Sequence, residues 1–127
     1  MAFLVFATGG CLYLGPVQPA VDPGPNQPPE FTFHQPSSLT VTLPNDGTST
    51  LFIVHASDPP SDPNPTPTAD LFYEWILDGA TSVLSGKAAT NYSTSGATLG
   101  LGSHSLEVIV SDDQGGTSTL TWSITVQ

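Results

Sequence analysis

A chain of 127 residues leaves room for one folded domain of about 100 residues once its apolar N-terminal run and a proline-rich stretch are set aside. Eleven acidic side chains stand against one base, Lys87, for a formal net charge of -10, and so acidic a surface repels phosphate backbones and excludes nucleic acid as a partner. Only 9% of the residues are charged, so solubility rests on Ser, Thr, Asn and Gln, a composition frequent in exported proteins, and the one cysteine, Cys11, cannot form an internal disulfide.

The chain opens on apolar Ala2 to Ala7, then the small residues Thr8, Gly9 and Gly10, then Cys11. Small residues suit a peptidase cleft, and the order resembles a bacterial lipoprotein signal with its lipobox. The resemblance implies a signal peptide over residues 1–10 and a covalent lipid on Cys11 as the first residue of the mature chain. Leu12 rather than Asp follows the cysteine, which by the same resemblance favours the outer membrane of a bacterial envelope. Two other readings stay open. Ala2 to about Val17 could be an uncleaved membrane anchor, although about 16 residues fall short of the roughly 20 that span a bilayer. Alternatively, Cys11 is a reduced thiol buried in an N-terminal strand.

From Gly15 to Pro29 the sequence GPVQPAVDPGPNQPP lacks apolar periodicity and is short of amide donors. It predicts an extended, polyproline-like tether, which with the lipidated cysteine makes residues 11–29 one unit. At about 3.1 Å per residue it holds a domain on the order of 50 Å from its anchor. Lying in the groove of a partner protein is the other use of such an arm.

Over residues 30–127 apolar positions alternate with Ser and Thr at period two, interrupted by Gly, Pro, Asn and Asp. The pattern predicts strands at Phe31 to His34, Leu39 to Leu43, Thr50 to Ser57, Leu71 to Leu77, Ser82 to Leu84, Tyr92 to Leu99, His104 to Ser111 and Thr117 to Val126. Asn45-Asp46-Gly47 and Asp113-Gln114-Gly115-Gly116 are the clearest turn signals. Seven to eight short strands in this length predict an all-β, antiparallel, immunoglobulin-like β-sandwich behind a proline-rich arm. Residues two apart share a strand face, which assigns Leu106, Val108, Val110, Leu120, Trp122, Ile124 and Val126 to the core. Tyr73, Trp75 and Leu77 are expected from the opposite sheet, with Leu39, Val41, Leu43, Leu51 and Ile53 completing the layers.

Asn26-Gln27-Pro28-Pro29, the run Tyr73 to Gly79, and the run Gly102 to Asp112 before Gly115-Gly116 resemble bacterial immunoglobulin-like repeats of the PKD and cadherin-like type. The resemblance implies a spacer, adhesion module or accessory domain of a surface protein. It also places His104 where such domains often carry the tyrosine of a corner motif, so that a corner hydrogen bond must come from the imidazole.

The densest carboxylates lie in the loop Ser57 to Asp70. Asp58, Asp62 and Asp70, joined by Asp112 and Asp113, offer the hard oxygen donors that Ca²⁺ takes in sets of six to eight. The resemblance adds weight, since cadherin-like domains bind calcium at strand ends. Asp before Pro or Gly also caps turns, so turn chemistry is the competing account of the same residues. Pro59, Pro60, Pro63, Pro65 and Pro67 stiffen this loop and make it the candidate for partner contact. His34, His55 and His104 show no ligand spacing for zinc, and no serine lies in a nucleophile-elbow context. The expectation is a non-catalytic, lipid-anchored envelope protein, an accessory subunit of a larger assembly with no cofactor beyond the lipid and the calcium candidate. The alternative is a surface adhesion or glycan-binding module.

Overall fold

The computed structural model describes residues 25–127. The expected lipoprotein signal, Cys11 and the expected tether up to Gly24 lie outside the described residues. From there the chain forms β1 (Glu30–Gln35), β2 (Thr40–Leu43), β3 (Ser49–Ser57), a 3₁₀ turn (Thr68–Asp70), β4 (Phe72–Leu77), β5 (Thr81–Gly86), β6 (Asn91–Ser95), a helical turn α1 (Gly96–Leu99), β7 (Gly102–Ser111) and β8 (Thr117–Val126). The strands divide into a three-stranded sheet ordered β1-β3-β6 and a five-stranded sheet ordered β2-β8-β7-β4-β5. All pairs are antiparallel except β2 with β8, which run parallel from Ser123 opposite Thr40 to Val126 opposite Leu43. This is an all-β, immunoglobulin-like sandwich.

The two faces are written in the alternation of β7 and β8. Leu106, Val108 and Val110 are fully buried, and across the hairpin Trp122, Ile124 and Val126 are at most 2% exposed, while Ser and Thr take the outward positions of β8 and Ser105, Glu107, Ile109 and Ser111 those of β7. Trp75 and Trp122 stack with ring centroids 6.1 Å apart and planes 5° from parallel, and Phe52 from the other sheet meets Trp122 edge-on at 5.1 Å. A buried indole N–H needs an acceptor. Trp75 Nε1 donates to the Ala89 carbonyl at 2.7 Å and Trp122 Nε1 to the Pro36 carbonyl at 3.1 Å. Neither tryptophan is a surface stacking platform.

Four sequence expectations are corrected. Tyr73, Trp75 and Leu77 belong to the same sheet as the β7-β8 hairpin, because β4 pairs directly with β7, placing Tyr73 opposite Val110, Trp75 opposite Val108 and Leu77 opposite Leu106. In β3 the buried face is Phe52, Val54 and Ala56; Leu51 faces outward with 44% exposure and Ile53 lies beside it. Leu51-Phe52-Ile53-Val54 is uniformly apolar, so period two allows either phase, and packing against Trp122 selects the one containing the aromatic ring. Leu39 likewise lies outside the core, at 40% exposure. Finally, the strand predicted to run to Leu99 stops at Ser95, whose hydroxyl caps α1 by accepting the Thr98 N–H at 3.2 Å. Gly96 permits the close approach that follows: a Cβ there would sit 1.9 Å from the Pro44 carbonyl oxygen.

Candidate metal centre

One pole of the sandwich gathers three loops. Asp58 follows the end of β3, Asp112 follows the end of β7, and Asp62 lies inside the proline-rich loop between β3 and the 3₁₀ turn. Each is buried, and a carboxylate oxygen from each lies within 4.8 Å of the other two. The loop is folded inward by its own backbone donors. The Asp62 N–H bonds the Pro59 carbonyl at 2.9 Å, Asp62 Oδ1 accepts the Asn64 N–H at 2.8 Å, and Asp58 Oδ2 accepts the Thr66 N–H at 2.6 Å. Asp112 Oδ1 accepts from the Gln114 and Gly116 N–H groups at 2.8 and 2.7 Å, which closes the β7-β8 turn. Burial pushes the Asp112 carboxyl up, and donors from Asn26, Gln114, Gly116 and Gly115 more than offset this, leaving it below the ordinary carboxylate range.

The arm ahead of β1 enters at this pole. Asn26 Nδ2 donates to Asp112 Oδ2 at 2.8 Å, and the Gln27 N–H donates to Asp62 Oδ2 at 2.8 Å. The Gln27 side chain exchanges two further bonds with Ser61, and Ser118 Oγ donates to the Pro29 carbonyl. Gly116 makes room for this contact. A Cβ at that position would meet Asp112 Oδ2 at 2.6 Å and Asn26 Nδ2 at 2.7 Å.

Two oxygens at the pole are buried without a hydrogen-bond partner, Asp58 Oδ1 and Asn26 Oδ1. Buried acceptors are ordinarily satisfied, and three carboxylates this close repel one another. An oxygen-only donor set fits a hard cation such as Ca²⁺ rather than zinc, whose sites are built mainly on His nitrogen and Cys sulfur. Asp58, Asp62, Asp112 and the Asn26 amide are the side chains that would hold it.

Of the five carboxylates singled out from sequence, three converge. Asp70 is exposed and pairs with Lys87 at 3.4 Å, while Asp113 Oδ1 accepts the Thr66 hydroxyl at 2.8 Å and so ties the turn to the loop. Of the prolines, Pro60, Pro63, Pro65 and Pro67 are exposed, whereas Pro59 is buried and withdrawn from contact. Asn26 and Gln27 were legible only as part of a fold signature; their role depends on the arm folding back onto two distant loops.

His104 lies near the start of β7, at the opposite pole. Its Nε2 lies 2.8 Å from the Gly100 carbonyl and its Nδ1 3.0 Å from Asp78 Oδ2, so the imidazole makes the corner bond and adds a carboxylate. Both partners are acceptors, which favours a ring protonated on both nitrogens. The hydrogen bond to Asp78 and then that to Gly100 raise its pKa; the hydrogen bond from His104, and then that from the Ser105 N–H, lower that of Asp78. His34 bonds the Pro36 carbonyl and His55 lies on an outer sheet face, so the histidines do not converge.

Among the described residues no helix is long and apolar enough to cross a membrane. No protein-family model matches the chain, and no curated protein matches it in sequence. Solved structures do. The fibronectin(III)-like modules of Clostridium thermocellum CbhA match with a TM-score of 0.56 at 17% identity, over 80% of this chain and 47% of that one. This chain therefore spans about half the length of that structure. The PKD1 domain of Vibrio anguillarum Epp matches with a TM-score of 0.51 at 20% identity, over 81% of this chain and 98% of that domain. The protein is thus similar in fold to fibronectin(III)-like and PKD domains, two forms of the immunoglobulin-like sandwich.

Proposed function

We propose that the protein is a non-catalytic, lipid-anchored component of a bacterial envelope, a structural or accessory subunit of a larger membrane or surface assembly, whose domain is fixed on its arm by calcium. The observation that carries the reading is the attachment of Asn26 and Gln27 to Asp112, Asp62 and Ser61. A proline-rich tether leaves a domain free to swing about its last residue. Bonding the end of the tether to the carboxylate pole gives the sandwich a direction. A bound cation would neutralise Asp58, Asp62 and Asp112 and link the arm, the proline-rich loop and the β7-β8 turn. CbhA and Epp, which carry domains of similar fold, agree with a modular role.

The carboxylate pole also favours a second reading, calcium-dependent adhesion or glycan binding, in which the exposed prolines of the same loop present the contact surface. Intact mass and mild-detergent co-purification from native membranes test the proposal. A chain beginning at Cys11 with acyl mass, recovered at fixed stoichiometry with an envelope protein, supports it. A chain retaining Met1 without lipid, or one recovered alone from several detergents, overturns it. Calcium-dependent glycan binding by that solitary chain would select the second reading.

A further inference from the structure

Beyond that reading, we infer that the open edge of β6 is a binding slot for an extended segment of another protein, uncharged or basic, with apolar side chains at alternate positions. Three strands face five, and ring contacts fix which stand opposite. Phe52 of β3 meets Trp122 of β8, and Tyr92 of β6 lies 6.1 Å from Trp75 of β4. Among the described residues no strand therefore stands over β5, the edge beyond β4. Leu84 marks the uncovered side. Its pairing with buried Trp75 turns it to the inner face of the sheet, yet it is 37% exposed. One further strand hydrogen-bonded to β6, about 4.8 Å out, would lie over it.

The edge itself selects the occupant. The Val54 N–H bonds the Thr90 carbonyl, so in the antiparallel register Thr90, Tyr92 and Thr94 direct their backbone groups to β3, while Asn91 and Ser93 turn theirs to the open side. A row of N–H and carbonyl groups at strand spacing is matched by the backbone of another strand. The other edges are blunted. β1 carries Glu30 and a register shift between Phe31 and Phe33, and β5 meets β4 through a shift at Trp75 and Ile76. β2 is four residues long, and the Ser38 hydroxyl bonds both the N–H and the carbonyl of Thr40. β6 has a continuous register with neither charge nor proline, and so has none of these devices. Side-chain chemistry follows from the surroundings. Every second residue of the added strand faces Leu84 and Tyr92 and is apolar, and the others lie beside Asn91 and Ser93 and face water. Asp46 stands beyond the Ser95 end, where its carbonyl accepts the Ala97 N–H at 2.8 Å, and the chain's net charge is -10. An acidic segment, or a second copy of this chain, is therefore repelled.

Nuclear magnetic resonance titration of the full chain carrying Cys11→Ser tests the inference, the probe being a synthetic peptide that alternates valine with threonine and has lysine at both ends. The expected result is saturable shifts of the Leu84, Asn91 and Ser93 amide signals. Ser93→Pro, Leu84→Asp and N-methylation of the peptide's own amides should each weaken binding at least tenfold, while Thr119→Glu on the outer face of the other sheet leaves it within twofold. Ser93→Pro removes an N–H that points away from β3, so circular dichroism and melting should be unaltered. No saturable binding up to about 1 mM peptide overturns the inference. So does binding that Ser93→Pro and Leu84→Asp leave intact, or that Thr119→Glu weakens as much. If Ser93→Pro melts early, the N-methylated peptide on the unaltered edge decides, and its undiminished binding refutes the slot. Shifts of the same signals with protein concentration alone would assign the edge to a second copy and overturn the inference as well.

Discussion

Calcium should raise the melting temperature of this domain, and Asp58→Asn should abolish that response while leaving the metal-free protein at least as stable as the wild type. Two like charges 4.8 Å apart repel by about 3 kcal/mol at an effective dielectric near 20, and Asp58 contributes to two of the three such pairs. Asparagine keeps the shape. Its carbonyl oxygen can still accept the Thr66 N–H, and its amide would lie where Asp58 Oδ1 now has no partner, able to donate to a neighbouring carboxylate. The apo protein thereby loses a repulsion and a buried orphan. The calcium gain follows from mass action. Extracellular calcium modules bind with Kd of about 10⁻⁴ to 10⁻³ M. At about 10 mM Ca²⁺ the stabilisation is then RT ln(1 + [L]/Kd), about 1.4 to 2.7 kcal/mol. A domain of about 100 residues shifts by roughly 4 to 8 °C per kcal/mol, which predicts a rise of about 6 to 20 °C. Differential scanning calorimetry in EDTA and in calcium measures it, with magnesium as the control cation. A wild-type shift below about 1 °C, or an Asp58→Asn variant that keeps the full shift, would refute the assignment.

Three further predictions follow from the packing and the corner. His104 has a raised pKa in the fold, so its contribution is complete below about pH 6.5 and is lost as pH rises through the raised value; Asp78, lowered, contributes above its ordinary value of 3.8 and loses that as pH falls. Urea unfolding at pH 5.5 and 8.5 should therefore find the wild type more stable at the lower pH by a margin that His104→Gln reduces; an equal margin in both proteins would count against the corner. Gly96→Ala drives a Cβ into the Pro44 carbonyl and should lower the melting temperature by several degrees, whereas Gly47→Ala, with open space around the new Cβ, should change stability by less than about 1 kcal/mol. Gly116→Ala should separate the arm from the pole, weakening calcium binding by more than tenfold in isothermal titration and exposing Asn26 to Pro28 to protease, because its Cβ would fall on Asp112 Oδ2 and Asn26 Nδ2.

Strand locations were legible because period two survives in β8, where polar and apolar residues alternate from Thr119 to Val126, and in β7, where only Ile109 breaks it. The same rule could not choose the phase of β3, since four consecutive apolar residues satisfy both, and burial against Trp122 made the choice. Sheet membership was equally out of reach for β4. Tyr73 and Trp75 look inward from whichever sheet holds them, and only the pairing with Val108 and Val110 puts them beside the hairpin. The corner position of His104 could be read from the run Gly102 to Asp112, although its second partner, Asp78, comes from another turn.

The sequence by itself determined the fold class, the inward positions of β7 and β8, and the concentration of Asp and Pro between β3 and β4, because each is a local pattern of side chains along a strand or turn. Tertiary structure alone decided which carboxylates meet. Asp58, Asp62 and Asp112 converge, and Asp70 and Asp113 do not, because the sandwich brings the ends of β3 and β7 to one pole and the arm returns there to bond them. Contacts such as Asn26 with Asp112, 86 residues apart, are set by the closure of the whole sandwich and leave no periodic trace in the chain.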